Sequence, residues 1–229
     1  MRTAFHLITS IILLGNVASA AETGALKALV ERLGRSRQPS VLFVGNSYSF
    51  HAPKLFRTYA SNRGKAVRVD QVTHGGWTLA RHAADEATLG KIREGRWDVV
   101  VFQEQSRIPS LPPAQRSAMM DAPLKKLVEE ARKHGAVPVL YQTWGYRDGD
   151  AKKPGDDFRA MTGRVREGYR AAARKAGNLV VVPVGDAWER EASATEVRKL
   201  FQNDGSHPSR HGNELTARVF HDTFFPKKR

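Results

Sequence analysis

Val41-Leu42-Phe43-Val44-Gly45-Asn46-Ser47-Tyr48-Ser49 is the stretch on which the fold of this chain turns. Its first four residues are continuously apolar, as in a parallel strand buried on both faces. Gly45 then permits a tight turn from strand to helix. Four later runs have a similar character: Ala66 to Val72, Val99 to Gln103, Val137 to Tyr141 and Leu179 to Val184. Amphipathic stretches lie between them, at Pro53 to Asn62, Leu79 to Glu94, Pro113 to Lys133 and Phe158 to Ala176. A last helix is expected from near Ser209, with Leu215, Val219 and Phe220 on one face. Gly64, Gly135 and Gly177 stand where helices should end. This alternation predicts a three-layer α/β/α sandwich around a mostly parallel, five-stranded sheet. Sites in such sheets form beyond the carboxyl ends of the strands, near a topological switch. Four loops are therefore of interest: after Gly45, after Val72, after Gln103 and around Asp204.

The chain has 229 residues, 41% hydrophobic and 26% charged, which suits one domain with an ordinary core. Its first residues read differently. Arg2 supplies a short positive region, Leu7-Ile8 and Ile11-Ile12-Leu13-Leu14 an apolar one, and Ala18-Ser19-Ala20 the small residues of a cleavage site. Residues 1–20 are expected to be a signal peptide cut after Ala20, leaving residues 21–229 as one exported domain. The alternative, an uncleaved anchor, meets an apolar run shorter than the ~20 residues a bilayer takes. No later segment is apolar enough to insert stably in a membrane.

Cysteine is absent, which excludes disulfides, thiolate metal sites and a cysteine nucleophile. The net charge is +14. Export turns that charge away from nucleic acid and towards weak attraction to polyanions such as acidic glycans or lipid headgroups. The basic residues are scattered, as at Lys125-Lys126, Lys152-Lys153 and Lys227-Lys228-Arg229, so a solubilising role explains them equally well.

Each of the four loops carries candidate chemistry. Ser47 stands near a helix N-terminus, where free N–H groups can stabilise an oxyanion, though it is equally read as a helix cap. The stretch matches neither a phosphate loop nor G-x-S-x-G. His74-Gly75-Gly76-Trp77-Thr78 lets the backbone approach a substrate and offers the Gly76 N–H, or is a plain turn with Thr78 as cap. Gln103-Glu104-Gln105-Ser106 follows a buried strand. An amide NH2 there can serve an oxyanion hole, or the side chains can tie loops together. Asp204-Gly205-Ser206-His207-Pro208 places a carboxylate three residues before a histidine. Such a carboxylate can reach Nδ1 and leave Nε2 free to face a serine, which is a poor nucleophile without a base.

Taken in order, these blocks resemble those of the SGNH (GDSL-like) hydrolase superfamily, in the branch with GNS, Q-E-Q-S and D-x-x-H-P-S. The resemblance runs from about Val41 to the last helix. It implies a flavodoxin-like sheet and hydrolysis of esters without a cofactor or metal. It assigns Ser47 as nucleophile, His207 as general base and Asp204 as its orienting acid. The oxyanion hole would combine the N–H groups of Ser47 and Gly76 with an amide side chain. The wider family has G-x-N-D in the third block, and Gln105 falls on the Asn position; Gln103 is the alternative donor. Trp77, Gln103 and His74 are expected to bind the substrate, and His74, Trp77 and Gln105 to form the mouth of the site, which suits a small-molecule or glycan ester with a short acyl group.

Three other readings compete. His207 and His211 are four apart and His221 follows, which would suit a metal hydrolase, but there is no H-E-x-x-H. Trp77, Trp97, Trp144 and Trp188 with the basic charge would suit a glycan- or lipid-binding protein without catalysis. An O-acyltransferase would use the same serine, histidine and aspartate, since both reactions share an acyl-enzyme.

Overall fold

The structure, a computed structural model, describes residues 20–194 and 196–227. The expected leader lies outside the described residues apart from Ala20, which opens the first helix. Five strands form the sheet: β1 (Ser40–Gly45), β2 (Arg68–Thr73), β3 (Val99–Phe102), β4 (Val137–Gln142) and β5 (Val180–Pro183). Every pairing is parallel and the order is β2-β1-β3-β4-β5. This is the flavodoxin-like order, in which the chain reverses its direction of winding between β1 and β3.

Among the described residues eight α-helices cover the two faces: α1 (Ala20–Gly34), α2 (Ala52–Ser61), α3 (Leu79–Ala84), α4 (Glu86–Glu94), α5 (Pro113–Lys133), α6 (Phe158–Lys175), α7 (Val184–Ala194) and α8 (Arg210–Phe224). Alternation along β1 divides the core. Val41 and Phe43 pack with Leu29 and Leu33 of α1, Phe56 of α2, and Phe220 and Phe224 of α8. Leu42 and Val44 pack with Leu79 of α3, Ile92 of α4, Leu124 and Leu127 of α5, and Val165 and Tyr169 of α6. All of β1 is buried, which is why its sequence is apolar without a break.

The expected three-layer sandwich and parallel sheet are present, with local differences. The stretch Leu79 to Glu94 is two helices, because Asp85 adopts an extended conformation and its carboxylate accepts the Thr88 N–H at 2.7 Å, capping α4. The strand read as ending at Val184 stops at Pro183, and α7 starts with no intervening loop. β2 begins at Arg68 rather than Ala66, and is an edge strand whose residues are only partly buried. Helices α1 and α7 go beyond the sequence reading; Leu29 and Leu33, four apart and buried, are the face that marks α1. Among the described residues no helix is long and apolar enough to cross a membrane.

A close contact fixes the segment after β3. Ile108–Ser110 forms a short 3-10 turn against α6, and a Cβ on Gly168 would lie 2.0 Å from the Pro109 carbonyl oxygen. Backbone cannot yield as a side-chain tip can. Gly168→Ala is expected to destabilise the fold by ~1–3 kcal/mol, the usual cost of overpacking, and to lower Tm by several degrees in a thermal melt. A melt indistinguishable from wild type would show that α6 and this turn separate freely.

Candidate active site

The site is assembled where β1 and β3 part. A reciprocal pair of amides holds the first turn. Asn46 N–H donates to Gln103 Oε1 at 2.9 Å, and Gln103 Nε2 donates back to Asn46 Oδ1 at 3.0 Å. Gln103 Oε1 also accepts from Ser49 Oγ at 3.0 Å. Asn46 Oδ1 caps the 3-10 turn Ser47–Ser49 through Tyr48 N, and its Nδ2 donates to the Trp77 carbonyl at 3.0 Å. A Cβ on Gly45 would sit 2.6 Å from Gln103 Oε1, so glycine is needed for close approach. The Gly45 carbonyl accepts from His74 N–H and from His82 Nε2, the latter at 2.9 Å. His82 is fully buried, and burial lowers its pKa, so the ring bonds there as a neutral imidazole.

Ser47 thereby faces the chain's other end. His207 Nε2 lies 2.9 Å from Ser47 Oγ, and His207 Nδ1 lies 2.5 Å from Asp204 Oδ2. Asp204 Oδ1 accepts the N–H groups of Ser206 and His207, both at 2.9 Å. Burial acts to raise the Asp204 carboxyl, but these amides and the imidazole outweigh it and hold the carboxyl below the ordinary range. Since a carboxylate must accept, Nδ1 carries the proton and Nε2 is left as the base. Ser47 is half-buried and Asp204 exposed, so the group opens to solvent.

Aromatic rings form the floor. Tyr48 stacks on Trp144 with centroids 4.8 Å apart, Trp144 stacks on Trp188 at 3.6 Å, and Tyr48 meets the His207 ring edge-on at 5.5 Å. Tyr48 Oη is 2.6 Å from Ser206 Oγ, and Trp144 Nε1 donates to the Ser206 carbonyl at 3.1 Å. The loop is closed by the bridge between Phe201 and Pro208 and by Gly205, whose φ of +68° favours glycine. Asn46, Tyr48, Trp144 and Ser206 were not singled out as site residues by the sequence reading. The position of Trp144 just beyond the carboxyl end of β4 is the one signal that pointed to it.

The remaining candidates divide. His74 and Gly76 are exposed, and the His74 ring lies 4.1 Å from the Trp77 ring at the rim. Gly76 takes φ +70° in the turn between His74 and Trp77, and its N–H has no hydrogen-bond partner among the described residues. Gln103 is not placed to bind substrate: it is 1% exposed and lies beneath the Ser47 turn. Its NH2 is engaged by Asn46 Oδ1 and the Glu104 carbonyl, so it is not free to donate to an oxyanion either. The Gln105 amide also bonds within its own loop, accepting from Arg107 N at 2.9 Å and donating to Ser106 Oγ at 3.1 Å. One of its two N–H groups therefore remains for another acceptor. Phe50, next to the turn and 41% exposed, is an added rim residue; its ring tip faces Gly75.

The three histidines of the metal reading do not converge. His211 pairs with Glu191 and His221 with Asp222, while His207 faces Ser47. Among the described residues no three His, Asp or Glu side chains gather at a metal-sized site.

No model of a known protein family matches the chain, and no curated protein matches it significantly. Solved structures do. A DUF4886 family protein from Bacteroides uniformis superposes with a TM-score of 0.70 at 18% identity, over 83% of this chain and 84% of its own. The acetylxylan esterase Axe2 from Geobacillus stearothermophilus gives 0.60 at 18% identity, over 82% and 95%. A lipase/acylhydrolase from Enterococcus faecalis gives 0.58 at 18% identity, over 83% and 100%. At these identities the likeness establishes a shared fold, the one the sequence resemblance implied.

Gln103→Ala tests the floor of the site. It leaves the Asn46 N–H and Ser49 Oγ without their buried partner, at ~1–3 kcal/mol for each group left unsatisfied, while Asn46 Oδ1 keeps the Tyr48 N–H. The expected outcome is a lower Tm and a fall in kcat with KM little changed, measured by thermal melt and by hydrolysis of p-nitrophenyl acetate. A change confined to KM would return Gln103 to the substrate.

Proposed function

We propose that this chain is a serine esterase of the SGNH class that hydrolyses short acyl esters, O-acetyl groups on carbohydrate in particular. The observation that carries the reading is the continuous path from Ser47 Oγ through the His207 ring to the Asp204 carboxylate. Ser47 Oγ attacks the ester carbonyl while His207 Nε2 takes its proton. Asp204 steadies the resulting imidazolium. The negative oxygen of the tetrahedral intermediate lies among donors from Ser47 N, Gly76 N and the free N–H of Gln105. His207 returns the proton to the leaving alcohol, leaving an acyl-Ser47 enzyme. A water activated by His207 then attacks the acyl carbon and releases the acid, restoring the serine.

The substrate class is argued from the rim. An open site lets a bulky alcohol, such as a sugar unit in a chain, stay largely in solvent. His74, Trp77 and Phe50 offer ring surfaces and one polar edge, a combination that suits a pyranose better than a long acyl tail. The shared fold with an acetylxylan esterase is consistent with that choice. Export after cleavage near Ala20 would bring such an enzyme to extracellular or periplasmic glycans.

Two outcomes follow. Ser47→Ala should abolish hydrolysis of p-nitrophenyl acetate down to the ~10³–10⁴-fold over water that binding and the oxyanion hole supply alone. Its melt should match wild type; activity within a few-fold of wild type sinks the nucleophile assignment. Across p-nitrophenyl acetate, butyrate and octanoate, kcat/KM should fall with chain length, and acetylated xylan should lose acetate. A preference for octanoate would mean that an acyl channel exists and the glycan reading is wrong.

A further inference from the structure

Beneath the loops that flank Ser47 lies an acid that this mechanism does not use. Glu104 follows β3 and is fully buried. Its Oε1 accepts two backbone N–H groups from different segments, Leu79 at 3.1 Å and Gln105 at 2.6 Å. Leu79 opens α3 three residues after Gly76, and Gln105 carries the amide donor. One carboxylate oxygen thus joins the two loops that supply the oxyanion hole. Oε2 is buried with no partner.

The surroundings hold no counter-charge for it. From α6, Tyr169 Oη accepts the Glu104 N–H at 3.0 Å, and burial keeps that phenol protonated. From α3, His82 turns away to the Gly45 carbonyl and Thr88. In its own loop, Arg107 is paired with Asp150. Burial without a cation pushes the Glu104 carboxyl up to about 7, although the Gln105 and Leu79 amides favour the ionised form.

A glutamine would fill this space and accept both N–H groups at no cost in charge burial. What the acid adds is strength: hydrogen bonds to an ionised acceptor are roughly twice as strong as neutral ones. When protonated, the acid must carry its proton on Oε2, which has no acceptor, and Oε1 becomes an ordinary carbonyl. We propose that Glu104 is a positioning residue whose carboxylate clamps the Gly76 and Gln105 loops at the spacing that receives the oxyanion. The inference rests on the esterase reading above.

The clamp has a sign that can be checked. A carboxyl raised in the folded state holds its proton more tightly there than in the unfolded chain. Between its ordinary value and about 7 the fold therefore loses stability as pH rises. Above that range Glu104 weakens the fold while it aids the reaction. Glu104→Gln, the neutral isostere, should separate the two effects. At pH 8 its Tm should be at or above that of wild type, while kcat on p-nitrophenyl acetate falls about 10-fold with KM unchanged. At pH 6, where wild-type Glu104 is itself largely protonated, the two kcat values should converge. A ratio of kcat values that stays constant from pH 6 to 9 overturns the proposal. So does a variant that melts lower than wild type at pH 8 or fails to fold, since Glu104 would then serve structure alone. Ser47→Ala, run beside it, keeps the two ideas apart: its retained activity would sink the esterase reading, whereas its inactivity with a constant ratio would sink only the clamp.

Discussion

The Gln103 carboxamide is the contact on which the site's geometry depends. β1 and β3 are neighbours in the sheet, with Val44 opposite Phe102. Just past that register the chains diverge, α2 leaving to one side and the Gln105 loop to the other. The gap is too narrow for a Cβ at Gly45 and too polar to fill with hydrocarbon. One planar amide fills it, meeting Asn46 with both donor and acceptor. Two chain segments that owe each other nothing through the sheet are thereby fixed in one orientation, and Ser47 inherits it.

Ser47 and His207 are held by different physics. Around Ser47 the contacts are directional hydrogen bonds to backbone: Gln103 to Asn46, Asn46 to Tyr48 and Trp77, His82 to Gly45. Around His207 they are mainly face-to-face rings, Trp188 on Trp144 on Tyr48, each such pair worth ~0.5–1.5 kcal/mol beyond its buried area. Stacked rings fix a height well and an in-plane angle less well. The Tyr48–Ser206 and Trp144–Ser206 hydrogen bonds supply the angle. The stack and Ser206 thus seat the loop, and Asp204 on Nδ1 orients the imidazole itself.

Sequence made the buried strands legible and the tertiary contacts not. Val41–Val44 and Val99–Phe102 announce themselves because both faces of each are covered, so every position must be apolar. β2 blurs because an edge strand obeys only half of that rule. Asp85 was hidden because the amphipathic pattern runs on through it, although Asp is a good cap. Val184 was hidden because a β-branched residue can begin a helix when Pro183 has just ended a strand. In the site, Ser47, Asp204 and His207 are recognisable as types, and Asp204 with His207 even by spacing. That Gln103 points inward while Gln105 stays near the surface does not follow from strand alternation, which would put both on one face; it comes from the chain leaving the strand after Phe102. Trp144, in the loop after β4, meets Trp188 on α7 in a tertiary contact that no local pattern dictates.

Ser47 and His207 are separated by 160 positions along the chain. During synthesis Ser47 and its turn emerge well before His207, which is carried by a loop seated by α8 and the aromatic floor. A chain caught between those two moments would expose Ser47 without the imidazole beside it. The hydroxyl meets its imidazole only when segments 160 positions apart close on each other, so the pairing belongs to the finished fold and to no part of it.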